Sequence, residues 1–272
     1  MSETYSCSRI PGSVKIERIL EVCIDSLESG INAIHGGAHE LELCSSLIMG
    51  GLTPSPGLVD EVIRVVNSIK NNHEDCTDHN TQYIPKLNIM IRCRGGADFC
   101  YTKTEMQTML ADIRIFKEMS VDRFVFGALT ENQEIDSKNC SLIIAEASPI
   151  PVTFHRAFDL CRDPYEAMDK IIQLGFNRVL TSGQRTSAVD NDALKLIKEL
   201  INKFGNDIEI MPGSGVNIVN VTKLIEIGSK IVHSSCKVEK IAFKVTNDLG
   251  MGCTMFVADK NIVKSMVQTI NK

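Results

Sequence analysis

The sequence predicts a single (β/α)8 barrel, and three observations predict it. Eight short apolar runs alternate with amphipathic stretches of about ten to twenty residues, so the chain reads as one β-α unit repeated. Several runs end in a knot of polar, ionisable or glycine residues: Ile19–Ile24 into Asp25–Ser26, Leu87–Ile91 into Arg92–Gly96, Pro151–Phe154 into His155–Asp159. Parallel barrels keep their ligand sites at the C-terminal ends of their strands, where these groups would gather. Finally, 272 residues suit one such domain, which needs about 250. A doubly wound open sheet is the rival fold.

Strand one is Ile19–Ile24, and Ser26 caps a helix that His35-Gly36-Gly37 stops. Strand two, Glu40–Cys44, runs into a loop at Ser45–Pro56 too rich in glycine and proline for regular structure. A helix from Gly57 to Lys70 follows. Residues 71–83 are polar and turn-forming and read as an insertion on the opposite face; His73, Cys76 and His79 have a metal-like spacing there but read as solvated loop. Strand three is Leu87–Arg92, helix three Thr102–Met119, strand four Arg123–Gly127, helix four Ser137–Ala147 and strand five Pro151–His155. Asp163-Pro164 opens the fifth helix. Strand six is Arg178–Thr181, helix six Ser187–Phe204, strand seven Ile208–Met211, helix seven Ile218–Ile227 and strand eight Lys230–His233. An irregular stretch, Lys237–Asp259, leads to a closing helix at Lys260–Ile270. Nothing divides the series, so residues 19–272 are expected to form the barrel and 1–18 a flexible extension.

Net charge is −5, spread without long runs of one sign, which argues against a nucleic-acid partner. The apolar runs fall far short of the eighteen or so residues that span a bilayer, and Met1–Ser13 lacks a signal-peptide pattern. The expectation is a soluble intracellular protein with reduced thiols. Its ten cysteines contain no CxxC pair, which removes the spacing signal of zinc ribbons and thioredoxin-like sites.

Side chains alternate along a strand, so Glu21 shares a face with Cys23, and Glu42 with Cys44. Glutamate cannot lie unpartnered beneath helices, so that face is the barrel interior. Two inward thiols on neighbouring strands, which lie about 4.8 Å apart, could share one soft ion such as Cu(I), or simply pack. Arg92, Arg94, His155, Arg156 and Asp159, with Glu21 and Glu42, supply dense charge for one mouth. A Glu–Arg lattice and an anion-binding site both fit, with Glu42, His155 or His233 available for proton transfer. Ser182 ends strand six. Gly213, Ser214 and Gly215 precede helix seven, and His233 and Ser234 end strand eight, the positions of a barrel phosphate site. Gly95-Gly96 allows a sharp bend that Phe99 and Tyr101 could cover.

The segments EVCIDSLES, HELELCSSLIMGGLTPS, RGGADFCY, PVTFHRAFD, RVLTSGQ, MPGSGV and VHSS, in this order, resemble the CutC copper homeostasis family from Leu20 to Ser235. The resemblance implies a single-domain barrel implicated in copper handling and assembled as a dimer or tetramer; the chain is expected in the cytoplasm, with the nucleus left open as a second place. The resemblance also implies Cu(I) binding, with Cys23 and Cys44 matching cysteines suspected as ligands in animal members. Cys93 between the arginines, Ala97 before Asp98, the insertion at 71–83 and the tail after Cys236 depart from the family pattern. Two functions stay open: a Cu(I)-binding homeostasis protein, and an enzyme acting on a small anionic or phosphorylated metabolite. A scaffold role fits less well, because an interaction module gains nothing from so many inward charges.

Overall fold

A computed structural model describes residues 18–74, 84–241 and 254–272. Eight parallel strands stand in the order β7-β6-β5-β4-β3-β2-β1-β8: β1 Ile19–Ile24, β2 Glu40–Leu43, β3 Lys86–Met90, β4 Arg123–Phe126, β5 Val152–Phe154, β6 Arg178–Thr181, β7 Glu209–Pro212 and β8 Ile231–Ser234. Helices cover the outside: α1 Leu27–Gly36, α2 Pro56–Glu74, α3 Lys103–Lys117, α4 Ser137–Ala147, α5 Pro164–Gln173, α6 Asn191–Phe204, α7 Val221–Glu226 and α8 Lys260–Ile270. This is the single-domain (β/α)8 barrel. At the seam β7 and β8 pack side by side without a shared ladder. Gly213 follows β7 there because a Cβ would lie 2.6 Å from Leu180 Cδ1 and 3.1 Å from His233 Cβ.

Short polar side chains start the helices. Ser26 accepts from Ser29 N–H, Thr102 and Glu105 form a capping box, and Asp136, Asp163, Asp190 and Asp259 accept at the starts of α4, α5, α6 and α8. Gly37, at φ 88°, ends α1 in the left-handed conformation expected of the stop.

Several stretches differ from expectation: α6 starts at Asn191 rather than Ser187, and a 3-10 turn at Leu47–Met49 interrupts the loop after β2. A 3-10 turn at Arg156–Leu160 follows β5 at once. α7 is only six residues long, because Asn217 and Asn220 bind nearby backbone, Asn220 Oδ1 accepting from Asn217 N–H and Asn220 Nδ2 donating to the Gly215 carbonyl. Lys237–Ile241 and Thr254–Ala258 form an antiparallel pair, β9 and β10, where irregular chain was expected. Ser29 and Asn32 of α1 hold it at Ala258. α2 runs four residues past Lys70 to Glu74; residues 75–83, with Cys76 and His79, lie outside the described residues, as does the extension at 1–17. Arg18 belongs to the barrel, donating to the Ile270 carbonyl.

Inside the barrel, buried charge is organised around Arg178. Its two Nη groups fork onto Glu40 at 2.6 and 3.1 Å while Nε donates to Glu209 at 2.9 Å. Asn88 Nδ2 bridges Glu21 and Glu40 at 2.5 and 2.7 Å, and Glu21 lies 3.5 Å from Arg178. The Glu–Arg lattice therefore ties five strands together toward the N-terminal end of the barrel, using Arg178 and Asn88 rather than Arg92, Arg94 or Arg156. Removing one partner of a buried, hydrogen-bonded ion pair leaves the other charge stranded. Arg178→Met should cost about 3–5 kcal/mol in urea unfolding, whereas Arg64→Met on exposed α2, paired with Asp60 at 2.8 Å, should cost less than about 0.5 kcal/mol. Equal losses would refute the lattice's role.

Candidate metal and ligand site at the barrel mouth

Strand register brings three donors to one point. Cys23 on β1 pairs with Glu42 on β2, and Glu21 pairs with His233 on β8. The Cys23 thiol, a Glu42 oxygen and a His233 nitrogen all lie within 4.8 Å of one another. Below them Glu21 Oε1 meets His233 Nδ1 at 2.7 Å, which turns Nε2 upward to 3.9 Å from Glu42. A carboxylate behind a ligating histidine fixes both its tautomer and its orientation.

The electrostatics follow from burial and these contacts. Burial works to raise Glu21, but the hydrogen bond and charge of His233, with Arg178 and Asn88, outweigh it and hold the carboxyl below its usual range. Burial alone would lower His233; Cys23 and Glu42, with hydrogen bonds to Cys23 and Glu21, reverse this and raise it well above 6.5. Burial pushes Glu42 up to about 7. Cys44 is held well above the ordinary thiol range by burial and by neighbouring Glu42 and Cys23.

Cys44 therefore differs from the shared-ion arrangement expected for it. It is fully buried in a small apolar cluster with Met90 and Val125, its thiol 3.5 Å from Glu42 Oε2, and it is absent from both the three-donor group and the cavity lining. Glu42 occupies the place beside Cys23.

Above the three donors opens a cavity of about 910 Å³. Arg92, His155, Arg156 and Asp159 line it, as do Ser214, Gly215 and Ser234. Arg92 is committed to backbone, donating to the carbonyls of Met49, Gly51 and Gly96 at 2.6–3.0 Å, so it braces the loops more than it clamps an anion. Arg94 points elsewhere, forking onto Asp98 at 2.8 Å and reaching Glu105. Asp159 accepts from Thr181 Oγ1 at 2.6 Å, Ser182 N–H at 2.9 and 3.0 Å and Arg156 Nε at 2.9 Å, which fixes Ser182 outside the lining. At the expected phosphate position, Gly213 N–H already donates to the Thr181 carbonyl, Ser214 Oγ to Thr186 and Ser234 Oγ to Val216, and α7 starts only at Val221. These groups shape the loop and leave no helix N-terminus for an anion.

His155 is buried, and Gly127 makes its seat, since a Cβ there would lie 2.5 Å from Nδ1. Ala157 N–H donates to Nδ1 at 3.2 Å, so the ring proton belongs on Nε2. Burial, then the charge of Arg92, push its pKa down to about 3.

The CutC family model matches residues 18–238. The chain belongs to the CutC family. Its relatives include the copper homeostasis protein cutC homologs of Mus musculus, 44% identical over 80% of this chain and 72% of that protein, and of Homo sapiens, 42% identical over 86% and 76%. The solved structure of the CutC protein from Streptococcus agalactiae is 30% identical, with a TM-score of 0.71 over 80% of this chain and 98% of that one. Among the described residues, no helix is long and apolar enough to cross a membrane.

Sequence reasoning missed Arg178, Asn88 and Glu40 as the base of the site. It also missed the exposed apolar rim of Ile48, Met49 and Ile218. The ELEL alternation at Glu40–Leu43 did carry the signal for two inward carboxylates on one strand.

His155 yields a pH prediction. Its folded pKa is depressed from 6.5 to about 3, so the unfolded chain takes up a proton first. The stability it supports is fully present above about pH 6.5 and is lost as pH falls toward 3. Nitrogen NMR at pH 5 should find Nε2 protonated and Nδ1 bare; a doubly protonated ring at that pH would contradict the assigned environment.

Proposed function

We propose that this protein binds Cu(I) in copper homeostasis, with Cys23 and His233 as the principal ligands and Glu42 as the third group at the ion. The observation that carries this reading is the grouping of Cys23, Glu42 and His233 within 4.8 Å above the Glu21–His233 hydrogen bond of 2.7 Å. A thiolate and an imidazole suit a soft or borderline ion better than Mg²⁺ or Ca²⁺, which ask for oxygen. The copper homeostasis relatives support copper as the cargo. Binding must displace protons from His233, Cys23 and Glu42, and burial, which raises Glu42 to about 7, makes that loss pH-dependent near neutrality.

Cys44 is the supporting residue in this reading. Burial beside Glu42 disfavours the thiolate that a metal needs. A reduced protein, and so a reducing compartment such as the cytosol or nucleus, is required for Cu(I) to persist.

The test is competition for Cu(I) against bicinchoninate under anaerobic, reducing conditions. The expected result is one ion per chain, lost by at least about a hundredfold, or 2.7 kcal/mol, in Cys23→Ser and His233→Ala, with less than about tenfold change in Cys44→Ser. Unchanged binding in Cys23→Ser would dismiss the reading. Preference for Zn²⁺ over Cu(I) would keep the site and change the cargo.

A further inference from the structure

We propose that the cavity has a second wall, formed by His155 and Arg156 and charged also by the braced Arg92, that binds the carboxylate or phosphate group of a small organic molecule. In the ring of eight strands β5 stands four places from β1, so His155 and Arg156 face the cavity from across the barrel axis relative to Cys23.

This wall presents donors. His155 is 3% exposed, its Nδ1 is occupied by Ala157 N–H, and its Nε2 is buried with no hydrogen-bond partner among the described residues. Leaving such an N–H unsatisfied is costly, and the ring cannot turn away, because it is packed into the space that Gly127 leaves. Arg92 Nε is likewise buried and unpartnered, while the three carbonyls on its Nη groups hold its charge in place. Phe99 lies between the two, 5.0 Å from the Arg92 guanidinium and 4.9 Å from the His155 ring. Arg156 commits Nε to Asp159 and Nη2 to Ser182; no described residue accepts from its Nη1. Asp159 also lines the cavity, but its oxygens are already spent on Thr181, Ser182 and Arg156.

Fixed donors with positive charge and no free acceptor select an oxyanion. The space selects an organic one. About 910 Å³ is within the range of small-molecule pockets, roughly 300–1,000 Å³, and far more than a bare metal ion fills. Leu47, Leu160, Leu180 and Val216 line the remainder and would contact a carbon skeleton whose other end reaches Cys23 and Glu42.

This wall stands apart from the copper reading, and its test omits metal. The full-length metal-free protein, with nitrogen-labelled histidine, is titrated with inorganic phosphate, citrate and glucose 6-phosphate, with glucose as the neutral control. The expected result is a saturable shift of the His155 Nε2–H resonance with at least one anion and none with glucose. Calorimetry should give one site per chain, weakened at least about tenfold in Arg156→Met and changed less than about threefold in Arg64→Met on α2, outside the cavity. A response to the two phosphates alone assigns phosphate, and a response to citrate alone assigns carboxylate; either supports the wall. No response from any anion at roughly 10 mM, the weak end of specific binding, or wild-type affinity in Arg156→Met overturns it. Arg156 is half exposed, so the variant should fold, and the wild-type titration needs no variant.

Discussion

One carboxylate joins the stability of this barrel to its chemistry. Glu21 gives Oε1 to His233 and Oε2 to Asn88, with Arg178 3.5 Å away. Each neighbour comes from a different strand, so the same group that holds β1, β3, β6 and β8 in register also aims the imidazole at Cys23. A fully buried glutamate is tolerable only with such partners, and the partners are tolerable only with the glutamate. The interior is thus a column of paired charge that rises from Glu209 and Arg178 to the mouth.

At the top of the column the pairing stops. Glu42 Oε1, Arg92 Nε and His155 Nε2 are buried without partners, whereas the lattice beneath ties both oxygens of Glu21 and of Glu40. Natural interiors satisfy nearly all such atoms. These three atoms belong to residues that line one cavity, while Asn88 Oδ1 and Arg123 Nη1 are unpaired in the lattice below. The β1–β2–β8 side offers sulfur, nitrogen and oxygen to an ion, and the β3–β5 side offers N–H groups to an anion.

Much of this was legible in the sequence because it depends on periodicity. Alternation along ELEL and EVC put Glu21, Cys23 and Glu42 inside, the capping residues set most helix starts, and β1, β6, α4 and α8 fall on their expected spans. Which inward residues meet was not legible, because register and barrel stagger decide it. Cys44 shares its face with Glu42 yet sits past the end of β2 among apolar neighbours. Arg178 opens an apolar run, and only the closed ring shows that it crosses the barrel to Glu40, 138 residues away. The arginines expected at the mouth divided in the same way: Arg94 turned to Asp98 and Glu105, Arg92 to three carbonyls, and Arg156 kept one free edge. The RGGAD loop could not reveal this from its composition, since its path is set by the contacts its own arginines make.

In the proposed site a thiolate and an imidazole, fixed by Glu21, hold the ion together. X-ray absorption at the copper edge of the Cu(I)-loaded protein examines it most directly. The expected spectrum shows a mixed coordination shell of one sulfur and at least one nitrogen or oxygen. A shell of two sulfurs and no light atom would mean that Cys44 leaves its buried seat to join Cys23, and would contradict the account.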